Sequence, residues 1–280
     1  MKISGFTIVR NAVKYQYPVV ESIRSILPIC DEFIVNVGDS EDGTCELIRS
    51  IGDCRIRIFE NSWDLSRGKE VLSCQTNLAL QECRGEWAFY LQSDEMVHEK
   101  DLGQLVRLLN ENAGRDDIDA LRFRWLHFFG SYHRYRIDSG WYQKQDRVIR
   151  NNGTIESMGD AYGFQRKDGR PLRRLKTPFF IYHYGWVHKG DIMTRRRVNA
   201  ERIGFTRLKD NERRGIYDYG DLNRFPVYFG SHPGVMKDII AGHELSKRDW
   251  QDIKRRYWWH PMRWLRFRYK TWRRQKQRLE

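Results

Sequence analysis

The sequence predicts an α/β fold, with a mostly parallel central sheet flanked by helices and a helical, basic C-terminal extension. Three observations support this prediction. Over the first 125 residues, short apolar runs alternate with helical patterns, which is the rhythm of βαβ units. Beyond about residue 130 that rhythm breaks, and the last thirty residues are strongly basic with a helical pattern. Hydrophobic residues make up 40% and charged residues 31%, which is typical of a globular chain rather than a disordered one.

Five strands are predicted in order, because each is a short apolar run that ends in polar or turn-forming residues. They are the segments ISGFTIV at 3–9, EFIVNV at 32–37, RIRIFE at 55–60, EWAFYLQ at 86–92 and DALRFRWLHF at 119–128.

Four helices alternate with these strands. They are predicted in YPVVESIRSIL at 17–27, DGTCELIRSI at 42–51, SRGKEVLSCQTNLALQECRG at 66–85 and EKDLGQLVRLLNENAG at 99–114. In the first of them, Val19, Ile23 and Ile26 recur at helical spacing. Gly85 and Gly114 end the last two, as glycine often does at a helix C-terminus. Residues 190–211 also look helical, so we predict an α/β domain over 1–190 and a helical extension over 191–280.

The end of the extension carries eleven Lys and Arg residues between Lys254 and Arg278. Its apolar side chains recur at helical spacing and form one stripe, made of Trp258, Met262, Leu265, Tyr269 and Trp272. An apolar stripe flanked by cations is the pattern of a helix in a membrane interface. It also suits a helix that packs on the α/β domain, and both interpretations stay open.

The net charge of +13 favours an anionic partner: nucleic acid, a membrane surface or a phosphorylated substrate. Five cysteines are scattered through the first third of the chain without metal-binding spacing, which suits reduced thiols in a cytosol. No signal-peptide pattern and no apolar run of roughly 20 residues is present. We therefore predict a cytoplasmic protein, peripheral on the inner membrane face if the basic tail binds lipid.

Polar residues follow three of the predicted strands. Arg10 and Asn11 follow the first, VGDSEDGT at 37–44 follows the second, and QSDE at 92–95 follows the fourth. In an open α/β sheet, ligands bind outside the carboxyl ends of the strands, so these loops are expected to converge. A single carboxylate with few other protein ligands suits Mg²⁺ or Mn²⁺, which take further oxygens from water and phosphate. The other interpretation is that Asp94 and Glu95 cap the following helix.

Four segments together resemble a family 2 glycosyltransferase with the GT-A fold, in particular a group of uncharacterised bacterial members. These segments are FTIVRN, VGDSEDGT, GEWAFYLQSDE and IYHYGW, and the similarity covers roughly residues 3–190. The resemblance implies that residues 1–190 bind a nucleotide sugar and catalyse transfer of its sugar with inversion of configuration. It also implies a UDP-sugar donor and a divalent cation, Mn²⁺ or Mg²⁺.

The resemblance assigns the QSDE segment to the donor. Asp94 matches the last Asp of the family's D-x-D motif and is implied to bind the metal on the diphosphate. Gln92 stands where the first Asp usually is, although an amide can still bond a ribose hydroxyl. Ser93 and Glu95 complete the nucleotide-sugar-binding segment.

The first two loops are assigned to the nucleotide by the same resemblance. SEDGT matches the family's S-T-D-G-T, and Asp39 is a shifted substitute for the acidic residue that contacts the base. The residues of the first-strand loop that line the nucleotide are Val9, Arg10 and Asn11.

The general base of the family lies in an acceptor-facing loop after the fifth strand. Here Asp160 in GDAYG is the first choice and Glu156 the second, and either is equally consistent with an ordinary solvated loop carboxylate. A late His completes the metal site in related enzymes. His183, at the end of the apolar FFIY run, is the candidate ligand and His188 the alternative, while a structural role beside aromatic residues stays open.

Three functions are therefore compared. The first is a metal-dependent glycosyltransferase that acts on a glycan or lipid-linked precursor, as in polysaccharide biosynthesis. The second is a degenerate member that binds a nucleotide sugar without turnover, because Gln92 departs from the motif. The third is a nucleic-acid-binding protein that uses the basic, aromatic tail. The polar crevice of the α/β domain favours the first over the third.

Overall fold

A mixed β-sheet carries the fold, which we describe from a computed structural model that covers residues 1–138, 140–228 and 230–243. Within these residues there are eleven strands, nine of them in the main sheet. The strands are β1 Ile3–Val9, β2 Glu32–Val37, β3 Ile56–Glu60, β4 Trp87–Tyr90, β5 Glu95–Val97, β6 Ala120–Phe129, β7 Tyr135–Arg136, β8 Lys144–Arg150, β9 Ile155–Met158, β10 Gly163–Arg166 and β11 Arg174–Trp186. The basic tail at 258–278 lies outside the described residues.

Eight α-helices are found in the same part of the chain. They are α1 Ala12–Tyr15, α2 Val19–Ile26, α3 Thr44–Arg49, α4 Glu70–Gln81, α5 Glu99–Glu111, α6 Gly190–Arg202, α7 Asp210–Arg213 and α8 Lys237–Ala241. None of these helices has the length and apolar character needed to cross a bilayer.

One half of the sheet is parallel, with the order β3-β2-β1-β4. Four of the five predicted strands form this half, and the fifth is β6 in the other half. Together with the predicted helices α2 to α5, they confirm the α/β fold class. The other half is mixed: β8 runs antiparallel to both β4 and β6, and β11 is parallel to β6. The short strand β5 leaves the turn after β4 and pairs antiparallel with β11.

Both faces of the sheet are covered by apolar clusters. Trp87 and Phe89 of β4 belong to the cluster that includes α2 and α5, whereas Ala88 and Tyr90 belong to the cluster on the α4 side. A strand buried on both faces reads as a continuous apolar run rather than an alternating one. This explains why β4 is apolar throughout and turns polar only where it ends, at the edge that holds the cavity described below.

Residues Met1–Lys237 form one compact unit. Helix α6, the first element of the predicted extension, lies in this unit. Its Arg196 donates hydrogen bonds to the carbonyl oxygens of Tyr15, at 2.8 Å, and Gln16, at 2.9 Å, at the end of α1. The predicted limits of the two domains, 1–190 and 191–280, stay a prediction.

Candidate functional site

A cavity of about 490 Å³ opens at the carboxyl ends of β1 and β4. It brings together side chains that are distant in sequence. Among its lining residues are seven of the predicted site residues: Val9, Arg10, Gln92, Ser93, Asp94, Asp160 and His183. The expected convergence is therefore found for the loops after β1 and β4, whereas the third loop, at 37–44 after β2, contributes no residue to this lining.

The segment after β4 is a tight turn in which the Glu95 amide donates to the Gln92 carbonyl at 3.0 Å. Neighbouring elements hold it from both sides. The Ser22 hydroxyl of α2 donates to the Gln92 carbonyl at 2.9 Å, and the Tyr184 amide of β11 donates to the Asp94 carbonyl at 2.9 Å. The turn therefore presents Asp94 to the cavity from a backbone that is fixed at both ends.

The second carboxylate of the turn has a structural partner. Glu95 accepts two hydrogen bonds from Arg147, of 2.7 and 2.8 Å, and both side chains are fully buried. Burial opposes ionisation, but the adjacent guanidinium holds the pKa of Glu95 below its usual value. Glu95 lies outside the cavity lining, and β5 begins with it, so the helix after the turn is capped by His98 instead.

Asp94 meets His183 at one wall of the cavity. The Asp94 Oδ1 and His183 Nε2 atoms lie 3.7 Å apart, and their side chains are 14% and 8% exposed. Burial raises the pKa of Asp94 to about 6 and lowers that of His183 to about 4. His183 is therefore neutral near pH 7, when Asp94 is ionised.

The approach of these two side chains depends on Gly185. A Cβ atom at this position would lie 2.7 Å from both Asp94 Oδ2 and His183 Nε2, which is closer than real Cβ atoms come to other atoms. Glycine leaves a space between a carboxylate oxygen and an imidazole nitrogen, which are both donors that bind Mn²⁺.

A second histidine lies behind His183. His127 of β6 pairs with His183 of β11 in register, and their Nδ1 atoms are 3.0 Å apart. His127 is fully buried, and burial lowers its pKa to about 3. Its Nε2 atom lies 2.7 Å from the carbonyl oxygen of Tyr142.

Asp160 lines the same cavity from the loop between β9 and β10. No hydrogen bond or ion pair with a described residue engages its carboxylate. The next residue, Ala161, has a positive φ of 60°, which is a strained conformation for alanine. Gln92 Nε2 donates to the Ala161 carbonyl at 3.3 Å, and Arg147 Nη1 donates to the Tyr162 carbonyl at 3.0 Å. The loop is therefore tied to the QSDE turn and to its buried ion pair.

Glu156, the second candidate base, lies elsewhere. Its Oε1 accepts from Gln165 Nε2 at 2.9 Å, and it lines a separate cavity of about 570 Å³ beside α4. Asp39 is also outside the lining of the first cavity. It accepts from the Ser62 hydroxyl at 2.8 Å and the Trp63 amide at 3.0 Å, bonds that lower its pKa, and it thereby orders the segment that places Trp63 in the cavity.

Asn11 and His188 act next to the cavity rather than in its lining. Asn11 is buried and joins two loops, because its backbone N–H donates to Ser40 Oγ at 3.0 Å and its side-chain Oδ1 accepts from the Glu41 backbone N–H at 3.0 Å. His188 Nε2 lies 3.0 Å from Arg196 Nη2, so it faces a guanidinium and not Asp94.

Several cavity residues were missed by the sequence analysis. Arg196 and Arg197 of α6 line it, as do Trp141 and Trp186. Arg196 is buried, donates to the Gly185 carbonyl at 2.7 Å and lies over the Tyr17 ring at 4.1 Å from its centroid. The sequence signal that could have found them is the run of three arginines at 195–197 in a predicted helix. The local sequence does not indicate that Arg196 and Arg197 face the cavity.

Residues 6–170 match the family model described as glycosyl transferase family 2, and this range is more than half of the chain. The chain belongs to glycosyl transferase family 2. The matched range includes the QSDE turn and Asp160. His183 and Arg196 lie beyond it, so only their position in the cavity lining associates them with the site. No curated protein matches the chain.

Solved structures similar to this family 2 chain include residues 1–349 of TarS from S. aureus. The identity is 15% over 77% of this chain and 68% of that one, with a TM-score of 0.43. Glucosyl-3-phosphoglycerate synthase from Mycobacterium tuberculosis, in complex with Mn²⁺, UDP and phosphoglyceric acid, is 17% identical over 44% of this chain and 43% of that one, with a TM-score of 0.32. Mannosyl-3-phosphoglycerate synthase from Rubrobacter xylanophilus is 19% identical over 45% and 41%, with a TM-score of 0.32. The chain spans less than half the length of these two synthases.

Proposed function

We propose that the chain is an inverting glycosyltransferase that moves a sugar from a UDP-sugar to an acceptor hydroxyl, with Mn²⁺ or Mg²⁺ on the diphosphate. The observation that carries this proposal is the meeting of Asp94 and His183, 3.7 Å apart, in a cavity that Asp160 also lines. A cavity of about 490 Å³ is within the usual range for small-molecule sites.

The donor set fits the proposed cation. One carboxylate oxygen and one neutral imidazole nitrogen suit Mn²⁺, and the space next to Gly185 lies against both. Among the described residues no group of three or more His, Cys, Asp or Glu side chains surrounds one point. The remaining ligands in the proposal are therefore water and diphosphate oxygens, which matches an ion that binds with the donor. When bound, such an ion stabilises negative charge on the leaving diphosphate.

Arginine side chains supply further positive charge for the diphosphate. Arg10 lines the cavity, and its buried Nε has no hydrogen-bond partner among the described residues. Arg196 and Arg197 line the same cavity from α6. Preorganised cations of this kind stabilise the charge that develops as the glycosidic bond breaks. Arg10 is the one we expect to turn to the donor, since Arg196 and Arg197 already bond to protein oxygens.

Asp160 is the proposed general base. Direct displacement with inversion needs a carboxylate that accepts the proton of the acceptor hydroxyl. Asp160 is half-buried, lines the cavity and has no bound partner among the described residues, whereas Glu156 faces a different cavity. The Asp160 loop is held to the turn of Asp94 by Gln92 and Arg147, which fixes the base relative to the donor.

The acceptor in this proposal is a glycan or a lipid-linked precursor, as in polysaccharide biosynthesis. Trp141 and Trp186 line the cavity, and aromatic side chains provide apolar faces for sugar rings. Action at the cytoplasmic face of a membrane, through the tail at 258–278, belongs to the same proposal.

A second candidate is a degenerate member that binds the donor without transfer. The observation that favours it is the position of Gln92, whose amide is used for the Ala161 carbonyl and does not supply a second carboxylate. Release of UDP from a UDP-sugar by the wild-type protein would exclude this candidate.

The test is binding of nucleotide sugars by thermal shift, with and without Mn²⁺. A ligand at a hundred times its Kd stabilises the native state by about 2.7 kcal/mol. We expect UDP to raise the Tm of the wild type only when Mn²⁺ is present, and the Asp94→Ala variant to lose this shift. Asp116→Ala, which removes an exposed carboxylate outside the cavity lining, is the matched control and keeps the shift. An unchanged shift in Asp94→Ala would overturn the assignment of the site.

A further inference from the structure

His127 is fully buried and also lines the cavity, but both of its ring nitrogens are already engaged, Nε2 by the Tyr142 carbonyl and Nδ1 by His183. We propose that His127 is a positioning residue, which holds the ring proton of His183 on Nδ1 so that the Nε2 lone pair of His183 faces Asp94. The metal in this inference rests on the proposed function, whereas the position of the proton does not.

The carbonyl of Tyr142 fixes the position of the first proton. A carbonyl oxygen only accepts, so the His127 Nε2 atom that lies 2.7 Å from it carries a proton. In a neutral imidazole the other nitrogen is then an acceptor. His127 Nδ1 therefore accepts from His183 Nδ1 across 3.0 Å, and His183 is left with an unprotonated Nε2.

The chain of bonds requires both rings to be neutral, and their surroundings favour this. His127 lies among the rings of Trp125, Trp141 and Tyr142, at centroid distances of 4.9 to 6.5 Å. The nearest register neighbour with a carboxylate, Glu95, is already bonded twice to Arg147. Among the described residues His127 has no carboxylate partner. His183 does have one, since its Nε2 lies 3.7 Å from Asp94 Oδ1, but the ring stays neutral because charging a buried imidazole carries a large desolvation cost.

The free nitrogen points to the place where a cation would be bound. His183 Nε2 is 3.7 Å from Asp94 Oδ1, and the missing Cβ of Gly185 leaves room beside both side chains. Were the proton on Nε2 instead, it would occupy the direction of the metal bond, and binding would first require a tautomer change. Loss of a group that hydrogen-bonds to a metal ligand and sets its tautomer typically changes metal affinity 10- to 100-fold.

The two histidines are held by strands rather than by loops. His127 of β6 and His183 of β11 are direct partners in a parallel pair, so the backbone sets their separation. Sites built on strands are more precise than sites on loops. A structural role alone, the filling of a polar gap in the core, would need the two rings to bond but would not depend on which ring donates.

The first experiment uses the wild-type protein without metal. Long-range ¹H–¹⁵N correlation spectra at neutral pH distinguish protonated from unprotonated ring nitrogens, and the His183→Gln variant assigns the ring of interest. We expect His183 to carry its proton on Nδ1. A His183 ring with its proton on Nε2 would overturn the inference without any need for a folded His127 variant.

The second experiment uses two substitutions of His127. His127→Phe keeps the ring shape but removes the acceptor, and His127→Asn replaces Nδ1 by an amide oxygen that can accept. We expect Mn²⁺ affinity, measured by electron paramagnetic resonance in the presence of UDP, to fall 10- to 100-fold in the Phe variant. The Asn variant recovers affinity to within a few-fold of wild type. His243→Phe, which alters an exposed histidine, leaves affinity unchanged.

The outcomes separate this inference from the proposed function. Equal Mn²⁺ affinity in the wild type and in a folded His127→Phe variant would contradict the positioning role while leaving the cation site in place. If the wild type binds neither Mn²⁺ nor UDP, the proposed function fails, and the proton position in the metal-free protein is still measured on its own.

Discussion

Arg147 and Glu95 form a fully buried ion pair, and Arg147 also donates to the carbonyl of Tyr162, two residues after Asp160. One guanidinium therefore supports both the turn that carries Asp94 and the loop that carries Asp160. The two neighbouring carboxylates at the end of β4 thus have separate roles: Glu95 anchors the turn from inside the sheet, and Asp94 faces the cavity.

Removal of one partner of this pair should destabilise the protein strongly. Arg147→Met leaves the Glu95 carboxylate buried without a counter-charge, which costs about 3–5 kcal/mol of unfolding free energy. Urea denaturation followed by circular dichroism measures the change. The control is Arg115→Met, whose ion pair with Asp117 is more than half exposed on both sides, and its stability should stay near that of wild type. A loss for Arg147→Met no larger than for Arg115→Met would contradict the anchoring role.

Gly185→Ala tests the space between Asp94 and His183. The added Cβ would lie 2.7 Å from Oδ2 of Asp94 and from Nε2 of His183, so Asp94 has to turn away. We expect at least a tenfold loss of Mn²⁺-dependent UDP affinity, measured by isothermal titration, with a native circular dichroism spectrum. Gly103→Ala in α5, where the added Cβ contacts nothing within 4 Å, should keep affinity and raise helix stability by roughly 0.5–1 kcal/mol. Full affinity in a folded Gly185→Ala variant would count against this site.

The parallel half of the fold and part of the site follow from local sequence patterns. Strands β1 to β4 and the helices between them were predicted because apolar spacing and turn residues are visible within each βα unit. Asp94 and His183 could be named because each comes at the end of an apolar run, although their roles remain part of the proposal.

The rest depends on pairing between distant segments. Strand β5 is three residues long, which is too short for a periodic apolar pattern, and its partner β11 is distant in sequence. The local sequence therefore does not predict it. The bonds of Arg147 to Glu95 and of Arg196 to Tyr15 join residues 52 and 181 positions apart. Sequence alone could not show that Glu95 has a buried partner or that Arg196 reaches the cavity. Both depend on the pairing of β8 with β4 and of β11 with β5, which are segments distant in sequence.

Asp94→Asn should stabilise the metal-free protein at pH 8. Burial raises the pKa of Asp94 to about 6, so the folded state binds the proton more tightly than the unfolded state does. The ionised carboxylate therefore costs stability above pH 6, by about 2–3 kcal/mol, and this cost fades as the pH falls towards 4. Urea denaturation at pH 8 and at pH 4 compares the two proteins.

The same variant provides its own control. At pH 4 position 94 is uncharged in both folded proteins, and little of the pKa-dependent difference is left, so their unfolding free energies should agree closely. In the presence of Mn²⁺ and UDP at pH 8 the order should reverse, because only the wild type gains stability from the ligand. An Asp94→Asn protein that is less stable than wild type at pH 8 without metal would contradict the unfavourable burial of this carboxylate.

Asp160 and Glu156 lie in different cavities, so their substitution separates the two candidate bases. Asp160→Asn keeps the size of the side chain but cannot accept the acceptor proton, and sugar transfer should fall by about 10²–10⁴-fold. Mn²⁺-dependent UDP affinity should stay within a few-fold of wild type, because the carboxylate acts on the acceptor and not on the diphosphate. Glu156→Gln should keep both transfer and affinity, since its side chain bonds to Gln165 outside the site. A loss of transfer in Glu156→Gln with full activity in Asp160→Asn would reverse the assignment.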